Sequence, residues 1–141
     1  MGNRTFAIIK PDAVTNGNTG NIYDRIQYAK FIILGAKLIR MTLKQAEEFY
    51  AIHRGKPFYS ELTDFMSSGQ SMVMVLEKEN AVSEWRNIIG ATNPNEAAEG
   101  TIRQAFATSI GKNAVHGSDS DENAEKEIGF FFTESELIAN Q

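Results

Sequence analysis

Cysteine is absent from this chain of 141 residues, which excludes disulfide bonds and metal sites built on thiolates. Histidine is scarce, so any chemistry that needs an imidazole must use His53 or His116. No apolar run reaches the length that spans a bilayer. With a net charge of −4, the chain also lacks the excess of basic residues that general nucleic-acid binding requires. Binding of a small anionic ligand remains possible, because it needs only a local cluster of cations.

The composition is that of an ordinary globular protein, with 42% hydrophobic and 23% charged residues. This length predicts a single domain over residues 1–141. Arg4 and Lys10 bracket an apolar run of only five residues, which is too short for a secretory signal peptide. We therefore expect a cytoplasmic protein that neither enters a membrane nor binds nucleic acid.

Predicted strands and helices alternate along the chain. Apolar residues spaced by three or four between positions 22 and 33 predict one face of a helix. This alternation predicts α/β or α+β layers, with helices covering one face of a small sheet. The other predicted elements are strands at 5–9, 34–41 and 71–76 and helices at 44–53 (N-cap Thr42), 59–66, 81–89, 101–107 and 121–128.

His116 stands in the segment 113–120, where a glycine and two serines flank it and acidic residues follow. A histidine among such small residues, at the start of a predicted helix, can be approached by a ligand and oriented by its neighbours. A core histidine would more often stand within an apolar run. The alternative is a partly buried histidine that stabilises the start of the helix.

Cationic and small polar side chains recur at or near predicted turns. Arginine binds phosphate as a planar fork and lysine as a point charge, so a shared polyphosphate ligand would explain the set. Taken singly, each of the cations is better explained as a solvated surface residue. No glycine-rich phosphate loop is present, because Gly111-Lys112 is followed by asparagine rather than serine or threonine. The set consists of Lys10, Arg86, Thr92, Arg103, Lys112 and Asn113.

Glu127 lies beside the inward stripe of the last predicted helix, which Ala124, Ile128 and Phe131 form. A carboxylate on an inward face needs a partner, and a histidine near the start of the same helix is a suitable one. Such a carboxylate can fix the tautomer and the orientation of the imidazole. The alternative is a boundary glutamate that reaches solvent.

Two aromatic residues and the second histidine lie late in the helix predicted at 44–53 or in the loop that follows it. Phe58 follows Pro57 in a loop, where its ring can stack on a base or fill part of the core. Tyr50 lies late in the first of these helices. His53 is interpreted as a solvated residue at the end of that helix.

With these residues assembled, the chain resembles a nucleoside diphosphate kinase nearly from end to end. The Asn-x-x-His-Gly-Ser-Asp stretch at 113–119 is highly specific to that family. One departure is Lys112, where many relatives carry arginine, which keeps the charge but loses the planar fork. The segments that carry the resemblance are 4–12, 56–59, 90–94, 100–103, 113–120 and 124–129.

The resemblance implies a ferredoxin-like α+β fold, with a four-stranded antiparallel sheet covered by helices. It implies ping-pong transfer of the γ-phosphate of a nucleoside triphosphate, chiefly ATP, to a nucleoside diphosphate, through a phosphohistidine on Nδ1 of His116. Mg²⁺ would be the cofactor, held mainly by the nucleotide's phosphates rather than by protein side chains. The protein would form a homo-oligomer, either a tetramer or a hexamer.

The same resemblance implies a role for each site residue. His116 would carry the phosphate, supported by Lys10, Tyr50, Ser118 and Glu127. The nucleotide would be bound by Lys10, Phe58, Arg86, Thr92, Arg103 and Asn113, with Phe58 stacked on the base.

Three alternatives to this activity stay open. A catalytically weak nucleotide-binding regulatory module would bind nucleotides without taking up phosphate. A nucleic-acid-binding ferredoxin-like domain is disfavoured by the acidic net charge. A histidine phosphatase or nucleotide hydrolase would release inorganic phosphate without a diphosphate acceptor.

Overall fold

The computed structural model describes residues 2–138, which fold around one four-stranded sheet. Each neighbouring pair of strands is antiparallel, which confirms the predicted α+β fold. The short strand β4 pairs with one edge of β1, and β2 lies at the opposite edge of the sheet. In the order β2-β3-β1-β4, the strands are β1 (Arg4–Ile9), β2 (Ile32–Arg40), β3 (Gln70–Glu77) and β4 (Val115–Gly117).

The helices lie between and after the strands. Within residues 2–138, none of them has the length and hydropathy needed to cross a membrane. They are α1 (Pro11–Thr15), α2 (Thr19–Tyr28), α3 (Leu43–Phe49), α4 (Tyr59–Met66), α5 (Ala81–Ile89), α6 (Ile102–Phe106), α7 (Asp121–Phe131) and α8 (Glu134–Ile138), with a 3₁₀ turn at Ala51–His53.

Helices cover both faces of the sheet, so the prediction of a single covered face is wrong. Residues 7 and 9 of β1 face a cluster that includes Ile22 and Ile26 of α2 and Trp85 of α5. Residues 6 and 8 face the opposite cluster, with Ala46 of α3 and Met66 of α4. The two central strands contain the continuous apolar runs 6–9 and 72–76, and such runs need cover on both sides.

The predicted helix face that ran from residue 22 to residue 33 is too long. Helix α2 ends at Tyr28, and Lys30 turns the chain with a φ of 71°. Ile33 then lies in β2, opposite Leu76 of β3. Its spacing from Ile22 is helical by coincidence, because pairing with the central strand decides the conformation there.

Two other predicted helices have different ends. Thr42 is the N-cap of α3, as predicted, and its Oγ accepts a hydrogen bond from the backbone N–H of Gln45 at 3.0 Å. The helix predicted at 44–53 stops at Phe49, and the 3₁₀ turn follows. The helix predicted at 121–128 continues to Phe131 and thus includes two of the three phenylalanines at 130–132.

His116 lies in strand β4, opposite Ile8 of β1, and not at the start of a helix as the sequence predicted. Helix α7 begins later, at Asp121, and its N-cap is Ser120. The strand is only three residues long, so its alternating pattern is too short to detect among glycine and serine.

Candidate active site

Strand β4 holds the histidine in a hydrogen-bonded triad. Nε2 of His116 lies 2.8 Å from Oε1 of Glu127, and the Ser118 hydroxyl donates to the same oxygen at 2.8 Å. Ser118 is fully buried, and its Oγ also accepts the backbone N–H of Phe6 at 3.3 Å. Because a carboxylate only accepts, the neutral imidazole of His116 carries its proton on Nε2 and has its lone pair on Nδ1.

The segment just before His116 adopts a strained turn. Ala114 has a φ of 72°, and the N–H of Val115 bonds back to the carbonyl of Asn113 at 2.8 Å, which closes a γ-turn. A non-glycine residue in this conformation stores about 1–3 kcal/mol. The turn is held in place from α1 and from the residue that follows β1. The Asp12 carboxylate accepts the N–H of Ala114 at 3.1 Å, and the backbone N–H of Lys10 donates to the carbonyl of Ala114 at 2.8 Å.

The backbone on the other side of His116 packs closely on helix α5. The indole Nε1 of Trp85 donates to the carbonyl of His116 at 3.1 Å. A Cβ atom added at Gly117 would lie 2.7 Å from the Trp85 ring, so only glycine fits there. The histidine backbone is therefore fixed by the sheet, by the turn and by this helix.

A buried lysine reaches the same turn from the end of β1. Nζ of Lys10 donates to Oδ1 of Asn113 at 2.8 Å, and both side chains are buried. Burial, reinforced by the nearby charge of Arg103, lowers the pKa of Lys10 to about 8, although Asp12 opposes the shift. Nδ2 of Asn113 in turn donates to the carbonyl of Thr92 at 3.3 Å, which ties the loop after α5 to the site.

Arg103 of α6 joins the end of α5 to the segment just before His116 through its guanidinium group. It donates to the carbonyls of Gly90 at 3.0 Å, Val115 at 2.9 Å and Asn113 at 3.4 Å. Three of its five N–H groups are thereby used, and two are left for a ligand. Burial, with the charge of Arg86 nearby, lowers the pKa of Arg103 to about 10, so it still carries its charge at neutral pH.

The far wall of the site is aromatic. The Phe58 ring is 46% exposed and lies 5.3 Å from the ring of His53. His53 is half-buried rather than solvated, which corrects the interpretation from sequence, and its Nδ1 lies 3.2 Å from Nζ of Lys56. Burial, followed by the Lys56 charge, lowers the pKa of His53.

Tyr50 forms the floor between this wall and His116. Its ring is buried and stands edge-on to His116 at 6.3 Å. Its hydroxyl oxygen is buried and has no hydrogen-bond partner within the part of the chain that is described. Burial, and then the charge of Glu127, raise the pKa of Tyr50, so the hydroxyl stays protonated and able to donate.

The predicted site residues meet around one cleft of about 1150 Å³. Ser118 does not line it but lies behind it, bonded to Glu127. Lys112, whose convergence with the other cations the sequence left open, also lines it. The remaining predicted residues all line this cleft: Lys10, Tyr50, Phe58, Arg86, Thr92, Arg103, Asn113, His116 and Glu127.

Three neighbours of the site were given no role from the sequence. Asp12 holds the turn before His116, but an acidic residue in the first turn of a helix is ordinary. Phe49 lines the cleft beside His116, but an aromatic residue at a helix end also suits a core. Asp119 lines the cleft too, and a 2.6 Å hydrogen bond from Asn123 lowers its pKa.

No grouping of three or more metal-ligating side chains occurs within residues 2–138.

The family model for nucleoside diphosphate kinase matches residues 3–137. The chain belongs to the nucleoside diphosphate kinase family. It is accordingly a phosphotransferase, and the resemblance inferred from the sequence is confirmed. The nucleoside diphosphate kinase of Salinibacter ruber is 56% identical over 137 residues, which cover 97% of this chain and 96% of that protein.

Solved structures of nucleoside diphosphate kinases share the whole fold. That of Aquifex aeolicus superposes with a TM-score of 0.94 at 46% identity, over 96% of this chain and 98% of that one. That of Halobacterium salinarum, solved in complex with CDP, gives a TM-score of 0.92 at 38% identity, over 97% and 91% of the two chains.

Proposed function

We propose that this nucleoside diphosphate kinase works by a ping-pong mechanism in which Nδ1 of His116 carries the transferred phosphate. ATP is the main donor, and a nucleoside diphosphate is the acceptor. The observation that carries the proposal is the 2.8 Å contact between Nε2 of His116 and Glu127, on the wall of a cleft lined with cations. It leaves Nδ1 as the nitrogen with a lone pair for attack.

In the first half-reaction, the Nδ1 lone pair attacks the γ-phosphorus of the triphosphate. A bond forms between nitrogen and phosphorus, the bond to the bridging oxygen breaks, and the nucleoside diphosphate leaves. The ring keeps its Nε2 proton, and the Glu127 carboxylate faces the positive charge that develops on the imidazole. The second half-reaction is the reverse, with a different nucleoside diphosphate as the acceptor.

The cations of the cleft neutralise and position the phosphates. Phosphoryl transfer depends mainly on position and charge, and little on covalent help from other side chains. Lys10 supplies a buried point charge, while Arg86 and Arg103 offer planar donors. Thr92 and Asn113 contribute neutral donors beside them. The Tyr50 hydroxyl, unpartnered within the described residues, is available to donate to the phosphate on His116.

The Phe58 ring provides the surface on which the base stacks. Stacking does not distinguish strongly between bases, because every base has a π-face. The half-exposed position of the ring at the cleft wall supports this role over core packing.

Mg²⁺ enters with the nucleotide in this proposal. The cleft wall carries the cations Lys10, Arg86, Arg103 and Lys112, which suit phosphate oxygens, and the nucleotide itself would hold the metal. Bound in this way, the ion neutralises phosphate charge and fixes the shape of the triphosphate chain.

We also propose that residues 1–141 act as one domain that assembles into a homo-oligomer, a tetramer or a hexamer. Edge strand β2 exposes Ile32 and Leu38, by 56% and 53%, and an open apolar edge is a surface for pairing. Light scattering on the purified protein measures its oligomeric state. Leu38→Lys should shift the distribution of oligomers toward smaller species. A monomer at all concentrations would refute it. The cytoplasmic location stays a prediction that cell fractionation checks.

Acid-labile labelling tests the phosphohistidine directly. Incubation with ATP labelled in its γ-phosphate should label the protein, and His116→Ala should take up no label and lose turnover by about 10⁴-fold or more. His53→Ala, which removes the other histidine, should still be labelled. Label on His116→Ala would refute the assignment. Nucleotide binding without label would favour the regulatory module, and phosphate release without an acceptor would favour a hydrolase.

A further inference from the structure

The imidazole of His116 is surrounded by three aromatic rings. Phe49, Phe6 and Tyr50 stand at 5.6, 6.2 and 6.3 Å between ring centroids, all at steep angles to the histidine plane. Phe6 and Tyr50 are buried, whereas Phe49 is half-buried and forms part of the cleft wall. Of these three rings, Phe49 is therefore the one most exposed to the solvent of the cleft beside the histidine.

Phe49 is held firmly in this position. Its ring packs on Tyr50 at 4.9 Å, on Phe131 at 5.5 Å and on Phe6 at 5.7 Å. Phe130 packs against its outer side at 5.5 Å. A ring with neighbours on several sides keeps one orientation, so its edge toward His116 is a fixed feature of the site.

A phosphohistidine has a competing reaction that wastes the phosphate. A water oxygen attacks the phosphorus, the bond from phosphorus to nitrogen breaks, and inorganic phosphate leaves while the water proton goes to Nδ1. This step needs a water molecule close to the phosphorus and a partner that orients it. An aromatic ring neither donates nor accepts a strong hydrogen bond, so water beside Phe49 is poorly held.

We infer that Phe49 shields the phosphohistidine from hydrolysis, so that the phosphate waits for a nucleoside diphosphate instead of passing to water. The inference rests on the proposed role of His116. Phe49 does not touch the transferred phosphate in this view but controls the solvent around it. Transfer to the acceptor is served by the cations on the other walls of the cleft, such as Lys10 and Arg103.

The test compares Phe49→Leu with Phe130→Leu. Phe130 has the same ring and contacts Phe49 and Phe131, but it makes no ring contact with His116 in the described part of the chain. Each protein is labelled with γ-labelled ATP, freed of nucleotide and followed for phosphate release and for transfer to added nucleoside diphosphate. Phe49→Leu should hydrolyse about 10-fold faster with transfer changed less than about threefold, and Phe130→Leu should keep the lifetime of the parent phosphoenzyme.

Three outcomes would overturn the inference. The lifetime of the Phe49→Leu phosphoenzyme would equal that of the parent, or Phe130→Leu would shorten it as much, or transfer and hydrolysis would change by the same factor. Phe49→Met, whose unbranched side chain adapts more readily to the space that the ring leaves, is measured in parallel so that a folding defect in the leucine variant does not decide the result. Absence of any label on the parent protein would instead refute the phosphohistidine itself.

Discussion

The Asp12 carboxylate accepts the backbone N–H of Ala114 at 3.1 Å, across 102 positions of the chain. This contact joins the first turn of α1 to the γ-turn that precedes His116. The contact satisfies the buried N–H of Ala114, whose φ is 72°. It thereby stabilises a backbone conformation that is otherwise strained. The position of the histidine thus depends on a residue near the other end of the sequence.

Asp12→Ala should lower both stability and activity. Removal of the acceptor leaves a buried N–H unsatisfied, which costs about 1–3 kcal/mol in the free energy of unfolding. Because Asn113 and His116 flank the turn, kcat should fall as well. Urea denaturation and steady-state kinetics measure the two effects. Asp24→Ala, at an exposed position on α2, is the control. Equal stability of the two variants would show that the contact contributes nothing.

Lys10 should take up a proton when a nucleotide binds at alkaline pH. Its pKa of about 8 in the free protein means that it is largely neutral above that pH. A bound phosphate favours the charged form and raises the pKa, so uptake occurs between about 8 and the ordinary value of 10.5. At lower pH the group is already charged, and binding adds no proton to it.

Calorimetry in two buffers of different ionisation enthalpy measures this proton uptake. Lys10→Met should bind nucleotide more weakly and should lose the uptake in the alkaline window. The same number of protons taken up by the parent and by the variant would assign the effect to another group.

Glu127→Gln should lower kcat with little change in KM. Glu127 orients the imidazole through the 2.8 Å contact and in our proposal touches no nucleotide. Loss of one charge-assisted hydrogen bond of about 2 kcal/mol corresponds to about 30-fold in rate. Glu122→Gln, on the same helix but exposed and paired with Lys126 at 3.4 Å, should leave the kinetics unchanged. A rise in KM without a fall in kcat would point instead to a role in binding.

Gly117→Ala should destabilise the protein, whereas Gly129→Ala should not. The methyl group at residue 117 would lie 2.7 Å from the Trp85 ring and should cost about 1–3 kcal/mol of unfolding free energy. Gly129 lies within α7 with no atom near its missing Cβ, so alanine there should be neutral or should stabilise the helix. Trp85 is the only tryptophan, so its fluorescence during urea denaturation reports both variants. Equal midpoints would refute the close-packing argument.

Much of the fold followed from local patterns. The apolar runs of β1 and β3 and the cap at Thr42 are local signals that need no knowledge of the partner. The failures share one cause. Ile33 continues a helical spacing but belongs to a strand, and His116 stands among residues typical of loops but pairs with β1. In both places long-range pairing overrode the local pattern.

The candidate site divides in the same way. By resemblance, the segment 113–119 predicted the phosphate carrier, and the match over the rest of the chain predicted most of its supporting residues. Arg103 shows what the sequence leaves out: it was expected to bind phosphate, but its three carbonyl contacts also hold the site together. Asp12 and Phe49 gave no signal, because their importance lies in what they touch and not in their own chemistry.

The sequence by itself determined the family and, through that resemblance, predicted the nucleophile and the kinds of side chain that would meet a nucleotide, because these depend on residue identity and order. Tertiary structure alone decided that Nε2 of His116 faces Glu127, that Lys10 is buried beside Arg103 and that Phe49 closes one side of the imidazole. The physical reason is that hydrogen bonds, pKa shifts and exclusion of water depend on distance and burial. The chain acquires both only when β1, β4 and α7 come together.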